Sequence, residues 1–463
     1  MRSKVIPKFV SCSLMVCAVL ALSVAGFGQS KKDIKKADQL VREGDRIFNQ
    51  KNYRGAIEKY AEAIVLVPKN AKAHYWKGYA HYYLKENDQA LSELNTALEQ
   101  GFPALDVYKV RWYLNFDKQN YDAALEDIRA GLALEPNNLM FLVGLGQISY
   151  SKKMYPEALD AYQKALVVNP NNADLYYNIA QVQFNLGDSK GQAEAADAAI
   201  KHGTQHLGEA YYLLANGYQR QKRLAEAGDA YLRAINAKPD IYDAYRSLAD
   251  IYRSEGRFGD AIDVSKRALR VFPNDGNIYT DLSWYYSLAD RHEDAVEAAK
   301  AGTQLLPNQS LAYTNLCRAY NDTKQYTLAI NACNNALRIS PNDGETSFYL
   351  GRAYDLLGKS AEATRYYDQA VTGLVEFTKN NPDYSDGFYL LGNAYYADDQ
   401  RDRAIESYLR CLELSPRFVK ARYNLGLMYV KKKNKAAAMD QYNSLLTLDQ
   451  TWAGRLKSEI DKL

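Results

Sequence analysis

Residues 242–275 read YDAYRSLADIYRSEGRFGDAIDVSKRALRVFPND, and this pattern returns three more times by residue 372. Four columns of residues keep a common step of 34: Tyr252, Tyr286, Tyr320 and Tyr354; Ala261, Ala295, Ala329 and Ala363; Ala268, Gly302, Ala336 and Ala370; and Pro273, Pro307 and Pro341. A fixed period of this length is typical of stacked helical or other supersecondary repeats, none of which can bury its apolar face alone.

The first repeat, residues 37–70, has small residues where two helices would cross, large residues between them and a proline at its end. These residues are Gly44, Ile47, Ala56, Tyr60, Ala63 and Pro68. The pattern resembles that of the tetratricopeptide family, whose repeat is a pair of antiparallel helices. Small side chains let two helices approach, large ones fill the remaining gap, and proline ends the second helix. The resemblance implies an all-α fold, a right-handed α-solenoid of about twelve stacked helix-turn-helix repeats with a C-terminal capping helix.

The spacing predicts one continuous repeat domain over residues 37–450. It follows a polar lead-in over residues 29–36 and precedes a capping helix over residues 451–463. The repeats are expected to start at Ala37, Ala71, Leu105, Leu139, Ala173, Gly208, Tyr242, Gly276, Ser310, Gly344, Ser385 and Val419. The register slips by one residue near Leu207, and residues 373–381 lengthen the tenth repeat. Either point could bend the array, but neither has the composition of a flexible linker.

Residues 1–28 have the pattern of a secretory signal peptide: a basic start, an apolar run from Phe9 to Val24, and small residues around Ala25. The alternative is an uncleaved membrane anchor over residues 9–28, which is about long enough to span a bilayer. Both interpretations place the repeats outside the cytoplasm. The bacterial periplasm or cell envelope is the setting that the family resemblance favours.

The charge pattern argues against nucleic-acid binding. The chain has 58 basic and 55 acidic residues, but Arg2, Lys4 and Lys8 belong to the leader, which has no acidic residue. The remainder therefore has no net charge to attract nucleic acid or an anionic membrane. No phosphate-binding glycine loop and no nucleophile elbow are present, so we expect neither an enzyme nor a cofactor.

One pair of histidines and one pair of cysteines are candidates for a metal site and a disulfide bond. His202 and His206 have the spacing of two metal ligands on a helix, but Gly203 lies between them, and we interpret them as part of a polar loop. Cys317 and Cys333 lie on the two helices of the ninth repeat and could be bridged in an oxidising compartment. The favoured interpretation is that these cysteines replace small core residues.

Candidate binding residues follow from the family resemblance. In that family the first helix of each repeat forms the concave wall, chiefly through its second, fifth, ninth, twelfth and thirteenth positions. Here these positions supply an aromatic set: Tyr75, Tyr79, Tyr82, Tyr83, Tyr113, Phe116, Tyr150, Tyr177, Phe184 and Tyr212. Later repeats supply a polar set: Asn216, Arg220, Arg246, Asp250, Arg253, Arg318, Asn321, Arg352 and Asp355.

Both sets are candidates for a ligand groove. Tyrosine combines a large contact area with a polar tip, which suits peptide binding. Arginine could clamp a carboxylate, including a peptide C-terminus. The alternative for the polar set is a solvated wall with internal ion pairs, such as Arg246 with Asp250.

The expected function is a non-catalytic protein–protein interaction scaffold that binds an extended peptide or protein segment in the concave groove, in envelope assembly or secretion. Its partner would be a protein or peptide, with membrane contact only through an uncleaved N-terminus. The alternative is a saccharide-binding scaffold in exopolysaccharide export. The family's carboxylate clamp, which holds chaperone C-termini, is matched at Asn393 and Asn424, but Tyr389 stands where lysine is expected. We therefore do not expect a chaperone cofactor.

Overall fold

A computed structural model describes residues 30–463, within which 25 α-helices and no β-strand are found. The expected fold class, an all-α solenoid, is confirmed. The chain divides into an N-terminal unit, described from residue 30 to residue 152, and a C-terminal unit, residues 153–463. The predicted signal peptide or anchor, residues 1–28, lies outside the described residues.

The N-terminal unit is a stack of short helices joined by tight turns. They are α1 Lys31–Asn49, α2 Tyr53–Leu66, α3 Ala71–Tyr83, α4 Asn87–Glu99, α5 Ala104–Asp117, α6 Tyr121–Leu134 and α7 Leu139–Ser151. Helices α1 and α2, α3 and α4, and α5 and α6 pack as antiparallel pairs, and each pair packs on the next.

The C-terminal unit continues the same alternation. Its helices are α8 Tyr155–Val168, α9 Ala173–Leu186, α10 Ser189–Lys201, α11 Leu207–Arg220, α12 Leu224–Ala237, α13 Tyr242–Ser254, α14 Phe258–Val271, α15 Gly276–Leu288, α16 His292–Leu305, α17 Ser310–Asp322, α18 Tyr326–Ile339, α19 Gly344–Leu356, α20 Ser360–Asn380, α21 Ser385–Ala397, α22 Arg401–Leu414, α23 Val419–Lys431, α24 Lys435–Leu446 and α25 Gln450–Ile460. Residues 373–380 lengthen α20 to 21 residues. Helix α25 packs on α23 and α24 through Ala453, Leu456 and Ile460.

Helix α1 starts at Lys31, well before the expected start at Ala37. Residues 31–36, assigned to a polar lead-in, are the first residues of α1. The hydroxyl of Ser30 accepts hydrogen bonds from the backbone N–H groups of Lys32 (3.2 Å) and Asp33 (3.3 Å) and so caps the helix. The early start follows from this cap, because it satisfies backbone donors that otherwise have no partner at a helix N-terminus.

The repeated small residues allow neighbouring helices to touch. A Cβ atom added at Gly44 would lie 2.6 Å from the ring of Tyr60, and one at Gly392 would lie 2.6 Å from the ring of Tyr408. Tyr60 and Tyr408 are almost completely buried, at 0% and 1% exposure. The small residue of one helix therefore accommodates the aromatic ring of the next, which is the packing that the sequence pattern predicts.

Cys317 of α17 and Cys333 of α18 form a disulfide bond. The interpretation of these residues as unpaired substitutes for small core residues is wrong. Their Cα atoms are 5.2 Å apart, within the range that a disulfide requires, because the two helices of the ninth repeat pack face to face. Cys411 is a buried free thiol.

The C-terminal unit winds back on itself. Lys420 donates a hydrogen bond to Asp290 at 2.8 Å, and the Ser415 hydroxyl donates to the carbonyl oxygen of Ser254 at 2.8 Å. These contacts join residues 130 and 161 positions apart. Such contacts enclose space beside the odd-numbered helices of this unit. No helix within residues 30–463 has both the length and the apolar surface needed to cross a membrane.

Candidate functional site

The C-terminal unit contains a cavity of about 530 Å³ beside its odd-numbered helices. Its wall consists of Tyr212, Gln219, Asp243, Arg246, Ser247, Asp250, Asp281, Trp284, Tyr285, Leu311, Asn315, Arg318, Glu345, Tyr384, Asp386 and Leu390. These residues come from α11, α13, α15, α17, α19 and α21 and from the turn before α21. We call this space the main cavity.

A second cavity of about 320 Å³ adjoins the main cavity. The two share five wall residues: Trp284, Arg318, Glu345, Asp386 and Leu390. The structure therefore brings the predicted site residues Tyr212, Arg246 and Arg318 to the main cavity, and Arg318 and Arg352 to the second. Arg253 lies behind the main cavity, against Asp250 and Asp386.

Arg253 holds two carboxylates together. Its guanidinium donates to Asp250 at 2.7 Å and to Asp386 of α21. It also lies 4.9 Å from the centre of the Trp284 ring and 5.7 Å from that of Tyr384. Burial raises the pKa of Asp386, although Arg253 opposes this shift. Because Arg253 is only 7% exposed, its position is that of a structural ion pair rather than a free clamp.

The other predicted arginines of this wall also have carboxylate partners. Arg318 donates to Glu345 at 2.7 Å, Arg352 to Asp322 at 3.1 Å, and Arg246 lies 3.4 Å from Asp281. Internal ion pairs were the alternative for this set, but the pair given as an example, Arg246 with Asp250, does not form. Arg246 instead contacts Asp281 of the next repeat, and Asp250 pairs with Arg253. The pair of Arg246 with Asp281 joins α13 to α15, the first helices of two adjacent repeats.

Asp281 is a carboxylate of the main cavity with a raised pKa. Burial raises the pKa of Asp281 to about 6; the nearby Arg246 lowers it, whereas Asp250 and Asp275 raise it further. Tyr285, on the same helix, is 4% exposed, and burial and these carboxylates raise its pKa as well. The cavity thus keeps a poorly solvated carboxylate beside other negative charges.

Replacing Asp281 with asparagine is expected to stabilise the protein at neutral pH. Since the folded chain holds the Asp281 proton more tightly than the unfolded chain, stability falls as the pH rises from about 4 to about 6. Asparagine has no charge to bury, so the free energy of unfolding should rise by about 1–2 kcal/mol at about pH 7.5 and stay unchanged at about pH 4. Urea unfolding of parent and variant at both pH values measures it. A variant less stable than the parent at the higher pH contradicts the prediction.

Sequence reasoning missed several wall residues that the structure brings together. Asp243, Glu345 and Asp386 occupy the second position of their repeats, and Trp284 occupies a ninth position. Both positions belong to the concave set named above, so the same register could have found them. Tyr384 lies in a turn outside that register, and no sequence pattern indicated it.

The aromatic residues of the N-terminal unit pack largely on one another. Tyr79 stacks on Tyr82 at 5.9 Å, and Tyr83 stacks on Tyr53 at 4.8 Å between ring centres. Tyr113 contacts Tyr82 edge-on at 6.2 Å. Of the predicted residues in this unit, Tyr83 and Tyr113 are the exposed ones, at 45% and 44%.

Tyr75 was expected to line a groove, and that placement is wrong. Its ring is 8% exposed and stacks on Phe102 at 4.1 Å, because the turn between α4 and α5 covers it. Phe116 is half-buried between Trp112 and Tyr121, and Tyr150 is half-buried on α7. Tyr75 is therefore a core residue.

The remaining predicted residues lie in the first repeats of the C-terminal unit. Tyr177 stacks on His206 at 4.6 Å, and the guanidinium of Arg220 lies 4.9 Å over the ring of Phe184. Asn216 accepts a hydrogen bond from Gln192 at 3.3 Å. In the part of the chain that the structure describes, no group of three or more His, Cys, Asp or Glu side chains is arranged to hold a metal ion.

Comparison with known families agrees with the repeat pattern. A model described as "TPR repeat" matches residues 44–85 and 146–187. Two described as "Tetratricopeptide repeat" match residues 209–277 and 389–452, and residues 311–343. Together these segments cover more than half of the chain. The chain belongs to the tetratricopeptide repeat (TPR) family. Repeat proteins of this kind commonly bind through extended concave surfaces.

Similar proteins match only parts of this TPR protein in sequence. Hsp70-Hsp90 organizing protein 1 of Glycine max is 31% identical over 113 residues, 24% of this chain and 20% of that protein. Small glutamine-rich tetratricopeptide repeat-containing protein 2 of Saccharomyces cerevisiae is 31% identical over 103 residues, 22% of this chain and 30% of that protein. The chain thus spans less than a third of either relative. The crystal structure of yeast Tom70 covers 92% of this chain and 95% of its own, at 14% identity and a TM-score of 0.40.

Proposed function

We propose that this TPR protein is a non-catalytic adaptor whose C-terminal unit binds an extended peptide or protein segment along its odd-numbered helices. The main cavity is the observation that carries this proposal. Its volume of about 530 Å³ lies within the usual range of ligand sites, about 300–1,000 Å³. Tyr212, Arg246 and Arg318, which the family register marked as concave residues, are part of its wall.

We also propose that the protein works outside the cytoplasm, in envelope assembly or secretion. Two observations support this. The sequence of residues 1–28 has the pattern of a signal peptide or anchor. The disulfide between Cys317 and Cys333 is a bond that persists in oxidising compartments and is rare in the cytosol.

The name of the Glycine max relative refers to the chaperones Hsp70 and Hsp90, and a similar role here has little support. Asn393, one match to the carboxylate clamp, accepts hydrogen bonds from Asn424 at 2.9 Å and from Tyr408 at 2.8 Å. Tyr389, at the lysine position, packs on Phe418 at 4.9 Å. The residues that would hold a chaperone C-terminus are thus occupied with one another.

A site-specific photo-crosslinker tests the binding surface. Leu311 lines the main cavity and Leu328 lies on α18 outside it, and both side chains are 44% exposed. We expect a photoreactive phenylalanine derivative in place of Leu311 to label a partner protein in living cells, and the same group in place of Leu328 to label none. Both yields are compared by mass spectrometry after irradiation.

Two results would contradict the proposal that the partner binds at the main cavity. Equal labelling from the two positions, or labelling from Leu328 alone, would place the partner on another face. The saccharide alternative draws on Tyr83 and Tyr113, the exposed tyrosines of the predicted set in the N-terminal unit. It would replace the adaptor proposal if neither leucine position labels a protein while a glycan array is bound by the parent and not by the Tyr83→Ala/Tyr113→Ala variant.

A further inference from the structure

The wall of the main cavity carries more negative than positive charge. Its five carboxylates belong to Asp243, Asp250, Asp281, Glu345 and Asp386. Arg246 and Arg318 are the cations of the wall, and Arg253 adds a third from behind Asp250 and Asp386. An excess of two negative charges therefore remains in a partly enclosed space, where charge is screened less than in bulk water.

One of these carboxylates has no ion pair, and another has a single, longer one. Within residues 30–463, Asp243 makes no ion pair, and Asp281 has only the 3.4 Å contact with Arg246. The raised pKa of Asp281, about 6, is the consequence of its burial beside other carboxylates. Keeping a poorly paired carboxylate there lowers the stability of the free protein, a cost typical of sites kept for a ligand.

Arg318 gives a second, independent indication of a ligand. Its side chain is 6% exposed and lies on the wall of both cavities, and its Nε–H has no hydrogen-bond partner. An unsatisfied buried donor costs about 1–3 kcal/mol. The carbonyl oxygen of a peptide backbone passing between the two cavities could accept this hydrogen bond after a small rotation of the guanidinium.

Aromatic rings complete the wall. Trp284, Tyr285 and Tyr384 line the main cavity beside the carboxylates. The guanidinium groups of Arg253 and Arg318 already lie 4.9 Å and 5.7 Å from the centre of the Trp284 ring. The surroundings of this ring therefore stabilise cations, as aromatic faces do elsewhere.

We propose that the main cavity is a subsite for a cationic side chain, a lysine or arginine of the partner segment that the scaffold holds. This inference rests on the proposed function and adds the chemistry of the bound segment. The ammonium or guanidinium lies near Asp243 and Asp281, and the backbone carbonyl faces Arg318. The opposite preference, a peptide carboxylate held by the arginines, is disfavoured because Arg246, Arg318 and Arg352 each already face a carboxylate.

Fluorescence anisotropy with matched short peptides tests the subsite. The probes share a Gly-Ser backbone and carry a central lysine, Nε-acetyl-lysine or glutamate. We expect the lysine peptide to bind the full chain at least about tenfold more tightly than either other peptide at about pH 7.5. Its affinity should fall several-fold at about pH 5, because Asp281, flanked by Arg246, Asp250 and Asp275, then takes up a proton.

Two variants identify the residues responsible. Asp243→Asn with Asp281→Asn should lose the preference for lysine, whereas Asp263→Asn should keep it. Asp263 is exposed on α14 and outside the cavity, so this control removes one charge in a neighbouring helix. Circular dichroism establishes that each variant is folded. Equal affinity for lysine and acetyl-lysine peptides, tighter binding of the glutamate peptide, or an equal loss in Asp263→Asn would overturn the subsite.

The outcomes separate this inference from the adaptor proposal. If the crosslinker at Leu311 captures a partner whose binding is unchanged in Asp243→Asn/Asp281→Asn, the adaptor proposal stands and the cationic subsite fails. If the crosslinker at Leu311 captures no protein while the lysine peptide still binds selectively, the preference of the cavity for a cationic group stands and the adaptor proposal fails. Putrescine is the remaining probe: binding of free putrescine more tightly than the lysine peptide would overturn the assignment to a partner side chain.

Discussion

Replacing Arg253 with methionine is expected to lower the free energy of unfolding by about 3–5 kcal/mol. Arg253 is 7% exposed and pairs with Asp386, which is 3% exposed. Methionine keeps much of the buried volume, but it leaves the Asp386 carboxylate away from water without its cation. Urea unfolding followed by circular dichroism measures the loss. Tryptophan fluorescence gives a local readout, because the Arg253 guanidinium lies 4.9 Å from the Trp284 ring.

Arg257 offers a matched control for this prediction. It also pairs with a carboxylate, Asp260 at 2.7 Å, and lies 4.1 Å over an aromatic ring, that of Tyr252, but its side chain is 48% exposed. We expect Arg257→Met to cost less than about 1 kcal/mol, as is usual for exposed ion pairs. Arg253→Met with Asp386→Leu should recover most of the loss. Similar losses from the two single arginine variants would show that burial is not the cause.

The pair of Arg253 with Asp386 also holds distant parts of the C-terminal unit together. It joins α13 to α21 across 133 residues, and α21 contributes part of the main cavity wall. The methionine variant is therefore expected to loosen the cavity as well as the fold. The Arg253→Met variant should therefore lose both stability and ligand binding, and the two should be measured on the same protein.

The period of the sequence was sufficient to predict the fold class, because each column has a local physical role. The columns of tyrosine and of small residues specify which helix faces touch, and the prolines mark where second helices end. Helices α13, α17 and α19 begin at Tyr242, Ser310 and Gly344, the starts that the 34-residue step predicts. Helix α1 departs most from this prediction: capped by the Ser30 hydroxyl, it begins at Lys31 instead of Ala37, and a single cap leaves no periodic trace in the sequence.

The chemistry of the candidate site was harder to predict than the fold. The position of Arg318 on the wall follows from the repeat register, but its partner Glu345 belongs to the next repeat. The ion pair of Arg253 requires Asp386, a residue 133 positions away. The winding of the C-terminal unit brings the two together. The family register marked these arginines as candidates for a ligand clamp, with internal ion pairs as the alternative. The contacts between repeats instead pair the arginines with carboxylates and leave the wall of the main cavity with more carboxylates than arginines.

Replacing both Cys317 and Cys333 with alanine is expected to cost about 3 kcal/mol of stability. The two residues are 16 positions apart, and a disulfide closing a loop of about 15 residues restricts the unfolded chain by about that amount. Alanine is the suitable replacement because both side chains are 0% exposed and alanine adds no buried polar group. Urea unfolding of parent and variant, with and without dithiothreitol, gives the comparison.

Reductant separates the disulfide from the packing of the two cysteine side chains. If the bond contributes the stability, dithiothreitol destabilises the parent by about the same amount and leaves the double alanine variant unchanged. If the cysteines only fill small spaces in the core, reductant changes neither protein, and the denatured parent is alkylated at Cys317 and Cys333 as readily as at Cys411 without reduction. That second outcome would also remove one of the two supports for export, because unpaired buried thiols occur readily in cytosolic proteins. The same disulfide bond therefore bears on two conclusions: the proposed location outside the cytoplasm and the stability of the ninth repeat.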